Sequence, residues 1–412
     1  MRHTPRPILA ALLVVFASTS QPRAERAPAP WLGALQSIPS PAAAASGMPQ
    51  ITTSADGLVL SWVERSGTRA TLRLADRTTT GWSAPRTVSS GDDWFVNWAD
   101  VPSAIRLADG TLAAHWLQKS AGSTYAYDVK LAFSRDDGRT WSAPTSPHHD
   151  GTKTEHGFAS LYQVPGGGLG LVWLDGRGMT HADGHEAGDA GNMSLRAATF
   201  APDGTQRDET AVDLRVCECC PTTVAVTSEG PVVAFRDRSD EEIRDIYVSR
   251  LVGGTWTEGV AVHADNWQIP ACPVNGPALS ARDRLVVAAW FTVQDDQGRA
   301  YVAFSPDAGR TFGPRIRVDD AESLGRVDVE LLDDGAAAVS WVEFADERAQ
   351  FRVRRVDQAG MRSPAITVSG LAAGRTSGYP RMARRGGELV FAWTETGPGS
   401  SQVQTAVATL AK

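Results

Sequence analysis

Three of the chain's four cysteines stand within four positions, at Cys217, Cys219 and Cys220, and the fourth is Cys272. Two chemistries suit such a cluster. As thiolates, the four would select a soft metal such as copper or zinc, with His156 as the imidazole partner. Further histidines nearby in the chain are His148, His149, His181, His185 and His263. As oxidised cysteines they would be disulfides, as is usual outside the cytosol. Four cysteines allow three pairings, and a bridge from Cys272 to the 217–220 cluster is the expected one.

A second group is acidic. Glu64, Asp175, Asp237, Glu343 and Glu395 each lie two residues after an aromatic, at Trp62, Trp173, Phe235, Trp341 and Trp393. On a strand that spacing puts acid and aromatic on the same side. Pairing with nearby arginines and backbone donors, to stitch neighbouring sheets together, is one role for them. Catalysis is the other, and Asp175 and Asp237 are its candidates. Each has an arginine beside it (Arg177; Arg236 and Arg238) that would hold its pKa down. Trp94, Trp98, Tyr125, Tyr127, Trp267 and Tyr379 supply aromatic faces that either stack on sugars or close the packing of a loop surface.

These residues are positioned by a repeat. A short strand, a turn and an apolar strand ending in an aromatic recur roughly every fifty to sixty residues. The aromatics are Trp62, Trp116, Trp173, Phe235, Trp290, Trp341 and Trp393. Seven units of that length predict an all-β propeller of four-stranded antiparallel blades, with six as the alternative count. The last unit has room for three strands. Closure therefore calls for a strand from the other terminus, around Leu32 to Ile38, which would also remove an exposed sheet edge. The cysteines and Trp267 then fall in the connections between blades, on the face that also carries the second-to-third-strand loops. Ligands usually bind on such a face, at the mouth of the central channel.

The most specific local pattern lies in two third-to-fourth-strand turns. Ser134, Asp136, Gly138, Thr140 and Trp141 fit S-x-D-x-G-x-T-[WF], and so do Ser305, Asp307, Gly309, Thr311 and Phe312. These are Asp boxes, and the chain resembles the sialidase superfamily of Asp-box propellers. The resemblance implies three arginines on a sugar carboxylate, a tyrosine–glutamate nucleophile pair and an aspartate acid/base. The family's first arginine opens an Arg-Ile-Pro motif. Here Asp100, Val101 and Pro102 stand at that point, so Asp100 replaces the arginine and joins the candidate catalytic residues. Tyr379, late in the chain, matches the position of the nucleophile. Arg177, Arg236, Arg238, Arg375 and Arg381 are the arginines available for an anion, with Trp98 and Trp267 as ligand-stacking candidates.

Bulk properties narrow the partners. With 40 basic and 47 acidic residues the formal charge is −7 and is spread without long runs. That argues against nucleic acid and favours a glycan or another small polar ligand. Arg2, His3 and Arg6 precede an apolar run at 8–17 and small residues at Ser18, Thr19 and Ser20. Ten apolar residues are too few to span a bilayer, so residues 1–20 read as a cleaved signal peptide and the protein as periplasmic or secreted. A Pro/Ala-rich lead-in at 21–45 and one propeller domain at 46–412, monomeric and without a membrane span, complete the expectation.

Overall fold

The computed structural model describes residues 30–54, 57–179 and 191–411. The expected signal segment lies outside these residues, as does the acid- and histidine-rich stretch with His181, Asp183, His185, Glu186 and Asp189. Residues Trp31–Lys412 form one compact unit.

Seven antiparallel sheets follow one another along this unit. Blade 1 runs from Ser46–Ser54 through Gly57–Ser66 and Arg69–Asp76 to Arg86–Gly91. Blades 3 to 6 repeat the pattern, with second strands at Leu169–Asp175, Gly230–Arg236, Leu285–Gln294 and Ala337–Ala345. Blade 2 has three strands, Ser103–Arg106, Leu112–Lys119 and Tyr127–Ser134, and a lone bridge from Leu131 to Thr145 marks its outer edge. Blade 7 is built from Arg381–Arg385, Glu388–Gly397 and Ser400–Thr409. Its fourth strand is Gln36–Ile38, pairing Gln36 with Val407 and Ile38 with Thr405. The ring is therefore closed by the N-terminal segment, as the repeat count requires, and the propeller includes part of the lead-in.

The second strand of each blade explains why the sequence reads as it does. Such a strand is covered on both faces by neighbouring blades, so it needs apolar residues on both. In Leu169–Asp175 all seven residues are buried. Trp62, Trp173, Trp290 and Trp341 are at most 1% exposed. The aromatics thus pack in the interior between neighbouring blades.

The two motif turns close alike. Ser134 Oγ donates to Asp136 Oδ1 at 2.9 Å and accepts from Gly138 N at 2.8 Å, while Thr140 donates to the Asp136 carboxylate through N and Oγ1. Ser305, Asp307, Gly309 and Thr311 repeat these bonds. Gly138 and Gly309 sit at φ 77° and 82°, which suits glycine. No helix among the described residues is long and apolar enough to cross a membrane.

Candidate active site at the channel mouth

The first strands of the blades surround a central channel of about 660 Å³, lined among others by Asp100, Asp328, Glu330, Tyr379 and Arg381. A more open groove of about 910 Å³ adjoins it on the face of the blade-to-blade connections, with Arg65, Asn97, Trp98, Thr376 and Gly378 in its wall. The two spaces meet along the backbone. Trp98 and Gly378 line the groove, and their neighbours Ala99 and Tyr379 line the channel.

Asp100 is held at this mouth by three segments. It is 1% exposed. Phe158 N donates to Oδ1 at 2.8 Å, and the Tyr127 hydroxyl lies 2.8 Å from Oδ2 and 2.6 Å from Glu155 Oε1. A phenol has one proton, so two short contacts to two carboxyl groups need a second proton among the three. Burial supplies the reason for Asp100 to keep it, pushing its pKa to about 8, with the nearby Glu155 charge adding to the effect. Tyr127 is fully buried and rises well above its ordinary value for the same reason, its two acidic neighbours reinforcing the shift. Gly157 makes this approach achievable. A Cβ there would sit 2.0 Å from Asp100 Oδ2 and 2.8 Å from the Tyr127 hydroxyl.

Tyr379, Trp98 and Arg381 complete the mouth. The Tyr379 hydroxyl donates to Val274 O at 2.5 Å, and burial raises its pKa to about 12. Its ring stacks on Trp98 with centroids 5.8 Å apart. Arg381 lies over the Tyr379 ring at 5.3 Å, and its buried Nε has no hydrogen-bond partner among the described residues. Arg326 and Arg375 flank Trp98 at 5.2 and 5.9 Å.

The remaining sequence candidates lie in other groupings. Asp175 is fully buried, bonded to Trp173 Nε1 at 2.8 Å and bridged by Arg177. Burial works to raise its pKa, but Arg177 and His156 outweigh it and hold the carboxyl low. Arg177 also binds Glu209, so its guanidinium is already engaged. Asp237 does not match the expected depressed acid. Burial and the charge of Asp213 lift it to about 6, while its neighbours Arg236 and Arg238 turn elsewhere. Arg238 pairs with Glu218 and Glu242. Arg236 is 1% exposed and gives its N–H groups to the carbonyls of Asn275, Arg244 and Phe291, with Trp267 4.9 Å away across its face. Of the five arginines considered for an anion clamp, Arg381 alone lines the channel. Arg282 and Arg384 line it as well, two arginines that no motif singled out.

The cysteines pair as Cys217–Cys220 and Cys219–Cys272. In that state they offer no thiolate, so the cysteine-centred copper or zinc site gives way to the disulfide reading. Cys217, Cys219 and Cys220 are buried in one cluster with Phe158 and Tyr379, where they brace the mouth. His156 belongs to a different group. It stacks on His148 with ring centroids 3.8 Å apart, among Asp128, Asp150 and Asp175. Asp128, Asp150, Glu155 and the Tyr127 hydroxyl went unrecognised as site groups in the sequence, where no spacing ties them together.

No protein-family model matches the chain, and no curated protein matches it significantly. Solved structures share the fold. A protein of unknown function from Dyadobacter fermentans has a TM-score of 0.52 and 14% identity, over 89% of this chain and 95% of its own. Polysaccharide lyase Uly1 has a TM-score of 0.52 and 10% identity, over 88% and 89%. The NanB sialidase of Streptococcus pneumoniae has 0.48 and 10%, over 92% and 94%. The protein is a seven-bladed β-propeller, the architecture these structures share.

Proposed function

We propose that the protein is an exported enzyme that cleaves an acidic or polar glycan at the channel mouth, with Asp100 as the proton donor. One observation carries this reading: a buried carboxyl group, bonded to the Tyr127 hydroxyl that also meets Glu155 and pushed up to about 8 by burial, lines the same channel as Arg381. A protonated acid near neutrality is what departure of a glycosidic oxygen requires. In hydrolysis, the Asp100 proton would pass to the leaving oxygen as the bond to the sugar carbon breaks, and water would supply the new hydroxyl while its other proton returns to the Asp100 carboxylate. Arg381 would orient an anionic group of the ligand. Trp98, with part of its surface on the groove, would carry a neighbouring sugar ring.

The ligand class follows from charge. Asp100 occupies the place of the sialidase arginine and so removes one member of that clamp, which disfavours sialic acid. A uronic-acid or sulfated polysaccharide would present anionic groups to Arg282, Arg381 and Arg384 of the channel lining. Likeness to a polysaccharide lyase extends to fold alone, but it makes elimination the second reaction to assay.

Purified protein would be incubated with polyuronates, sulfated uronic-acid glycans, a sialoside and neutral arabinan, and products read by mass. Cleavage of an acidic polymer, reduced about 100-fold or more in kcat by Asp100→Asn and weakened in KM by Arg381→Ala, is expected. Saturable binding lost in Trp98→Ala, with no product from any substrate, would make the mouth a binding site without turnover. Neither binding nor product would overturn the proposal.

A further inference from the structure

Behind the channel mouth, on the other side of the same two segments, lies a group of side chains that the proposed reaction does not use. Tyr127 and Asp128 are consecutive on the third strand of blade 2, and Glu155 and His156 are consecutive at the start of blade 3. Side chains alternate along such segments. While Tyr127 and Glu155 meet Asp100, Asp128 and His156 meet His148 and Asp150. His148 is 7% exposed and His156 is 0% exposed.

The two imidazoles are arranged alike around one carboxylate. Asp150 Oδ2 is 3.4 Å from His148 Nδ1 and 3.2 Å from His156 Nε2. The rings are parallel to within 1°. That leaves His148 Nε2 and His156 Nδ1, both buried and both without a hydrogen-bond partner among the described residues. His156 Nδ1 faces Asp128 Oδ1 at 4.0 Å, and Lys130 holds the other oxygen of Asp128 at 3.1 Å. Ligand atoms of Asp128, His148 and His156 all fall within 4.8 Å of one another.

Two buried nitrogens left without a hydrogen bond are costly. A cation would relieve both. The carboxylate on the far ring nitrogens is the usual support for a metal-bound histidine, since it fixes the tautomer and orients the ring. Two imidazoles and one carboxylate suit a borderline divalent ion and match the three-ligand sets of zinc sites.

We propose that His148 Nε2, His156 Nδ1 and the Asp128 carboxylate form a zinc-type divalent metal site, with Asp150 orienting both rings. Each lone pair lies in its ring plane, so closing onto one ion with bonds near 2.1 Å calls for the two rings to turn out of their parallel stack as the ligand atoms draw in. Bound there, the ion would tie blade 2 to blade 3 directly behind Tyr127 and Glu155, so it would fix the geometry of the mouth without touching the ligand. The site is independent of the cysteines and of whether the mouth turns over a substrate.

The test is metal binding itself. Full-length mature protein, stripped with a chelator and dialysed, would be titrated with zinc against a chromophoric competitor, and with cobalt as a spectroscopic probe. One zinc per chain with micromolar or tighter affinity, and the visible absorption of low-symmetry cobalt, are the expected results. His148→Gln and Asp128→Asn should abolish tight binding, and Asp150→Asn should weaken it about 10- to 100-fold. Asp128 is only partly buried, so its variant is the safer one should loss of a buried histidine compromise folding. Cys219→Ser with Cys272→Ser should bind as the parent does. The proposal fails if folded parent protein binds no stoichiometric zinc or cobalt. It fails equally if Asp128→Asn retains full affinity, or if affinity is lost with the cysteines instead.

Discussion

The indole of Trp341 donates to Glu343 Oε2 at 2.9 Å, two residues along the same strand. Trp62 and Glu64 repeat the contact at 3.0 Å, and Trp173 and Asp175 at 2.8 Å. An arginine completes each unit: Arg352, Arg73 and Arg177. Arg352 and Arg73 stand directly opposite the tryptophan on the next strand. Glu64, Asp175 and Glu343 are therefore staples that give a buried indole and a largely covered guanidinium a shared acceptor, whereas the Trp393 indole N–H has no partner among the described residues and Glu395 is not one. Where the aromatic is Phe235 there is no N–H to give, and Asp237 is the acid that rises to about 6.

Removing such an acid should cost far more than a surface charge. Glu343 is 1% exposed, and its loss strands Trp341 Nε1 and takes the only carboxylate from Arg352, leaving it Gln350 Oε1. Glu343→Ala is expected to lower the unfolding free energy by about 3 kcal/mol, against about 1 kcal/mol for Trp341→Phe-type loss of one hydrogen bond beyond the change in packing. Urea denaturation of both variants checks the order. Equal stability of Glu343→Ala and the parent would remove the staple role.

Asp100 gives a pH dependence of defined sign. Its folded pKa, about 8, stands above its unfolded value of 3.8, so between those limits the native state holds a proton that the unfolded chain has released. Stability from this group is complete at low pH and declines as pH rises toward 8. Glu330, pushed to about 8 chiefly by burial, acts in the same direction. Asp100→Asn should thus gain on the parent by up to about 1.4 kcal/mol per pH unit between pH 5 and 8. Parallel stability curves for the two proteins would show that Asp100 is ionised in the fold. Turnover should fall above pH 8 for the same reason, as the acid loses its proton.

The fold was legible because its signals are local. An apolar run ending in an aromatic reports a strand covered on both faces, and in the Ser134–Trp141 and Ser305–Phe312 turns the bonds among the motif's serine, aspartate, glycine and threonine are internal. Closure by Leu32 to Ile38 was also legible, since a final unit short of one strand needs an outside edge. The mouth was legible only in part. Asp100 stands out through a family motif, but its partners Tyr127 and Glu155 come from two other segments, and nothing in their spacing announces them. Arg236 shows the opposite failure. Beside Asp237 in sequence it looks like a charge partner, yet strand alternation turns it the other way, onto backbone carbonyls. The four cysteines left three pairings open, and only the approach of two blade connections selects among them.

The two disulfides should differ in worth. Cys219–Cys272 closes a loop with a sequence separation of 53, and Cys217–Cys220 one of 3. Chain-entropy reasoning assigns about 4 kcal/mol to the first and about 1.5 kcal/mol to the second. Cys219→Ala with Cys272→Ala should therefore lower the denaturation midpoint markedly, whereas Cys217→Ala with Cys220→Ala should have the smaller effect. Mass spectrometry of the proteolysed, unreduced protein checks the pairing directly. A peptide joining Cys272 to Cys217 or Cys220 would overturn it.

His115 offers a stabilising change. It is 0% exposed on the second strand of blade 2, and neither ring nitrogen has a hydrogen-bond partner among the described residues. Burial drives its pKa down to about 3, so the ring is neutral in the fold while the unfolded chain takes up a proton near pH 6.5. Its folded pKa is depressed, so the unfolded state binds the extra proton and stability is lost as pH falls from 6.5 toward 3. His115→Leu removes two unsatisfied polar atoms at similar volume. It is expected to raise stability by about 1–2 kcal/mol at pH 7 and by more at pH 5, where the unfolded parent gains its proton. Denaturant titrations at the two pH values decide the matter: a variant less stable than the parent at both would mean that His115 has a partner, such as a buried water, that leucine cannot replace.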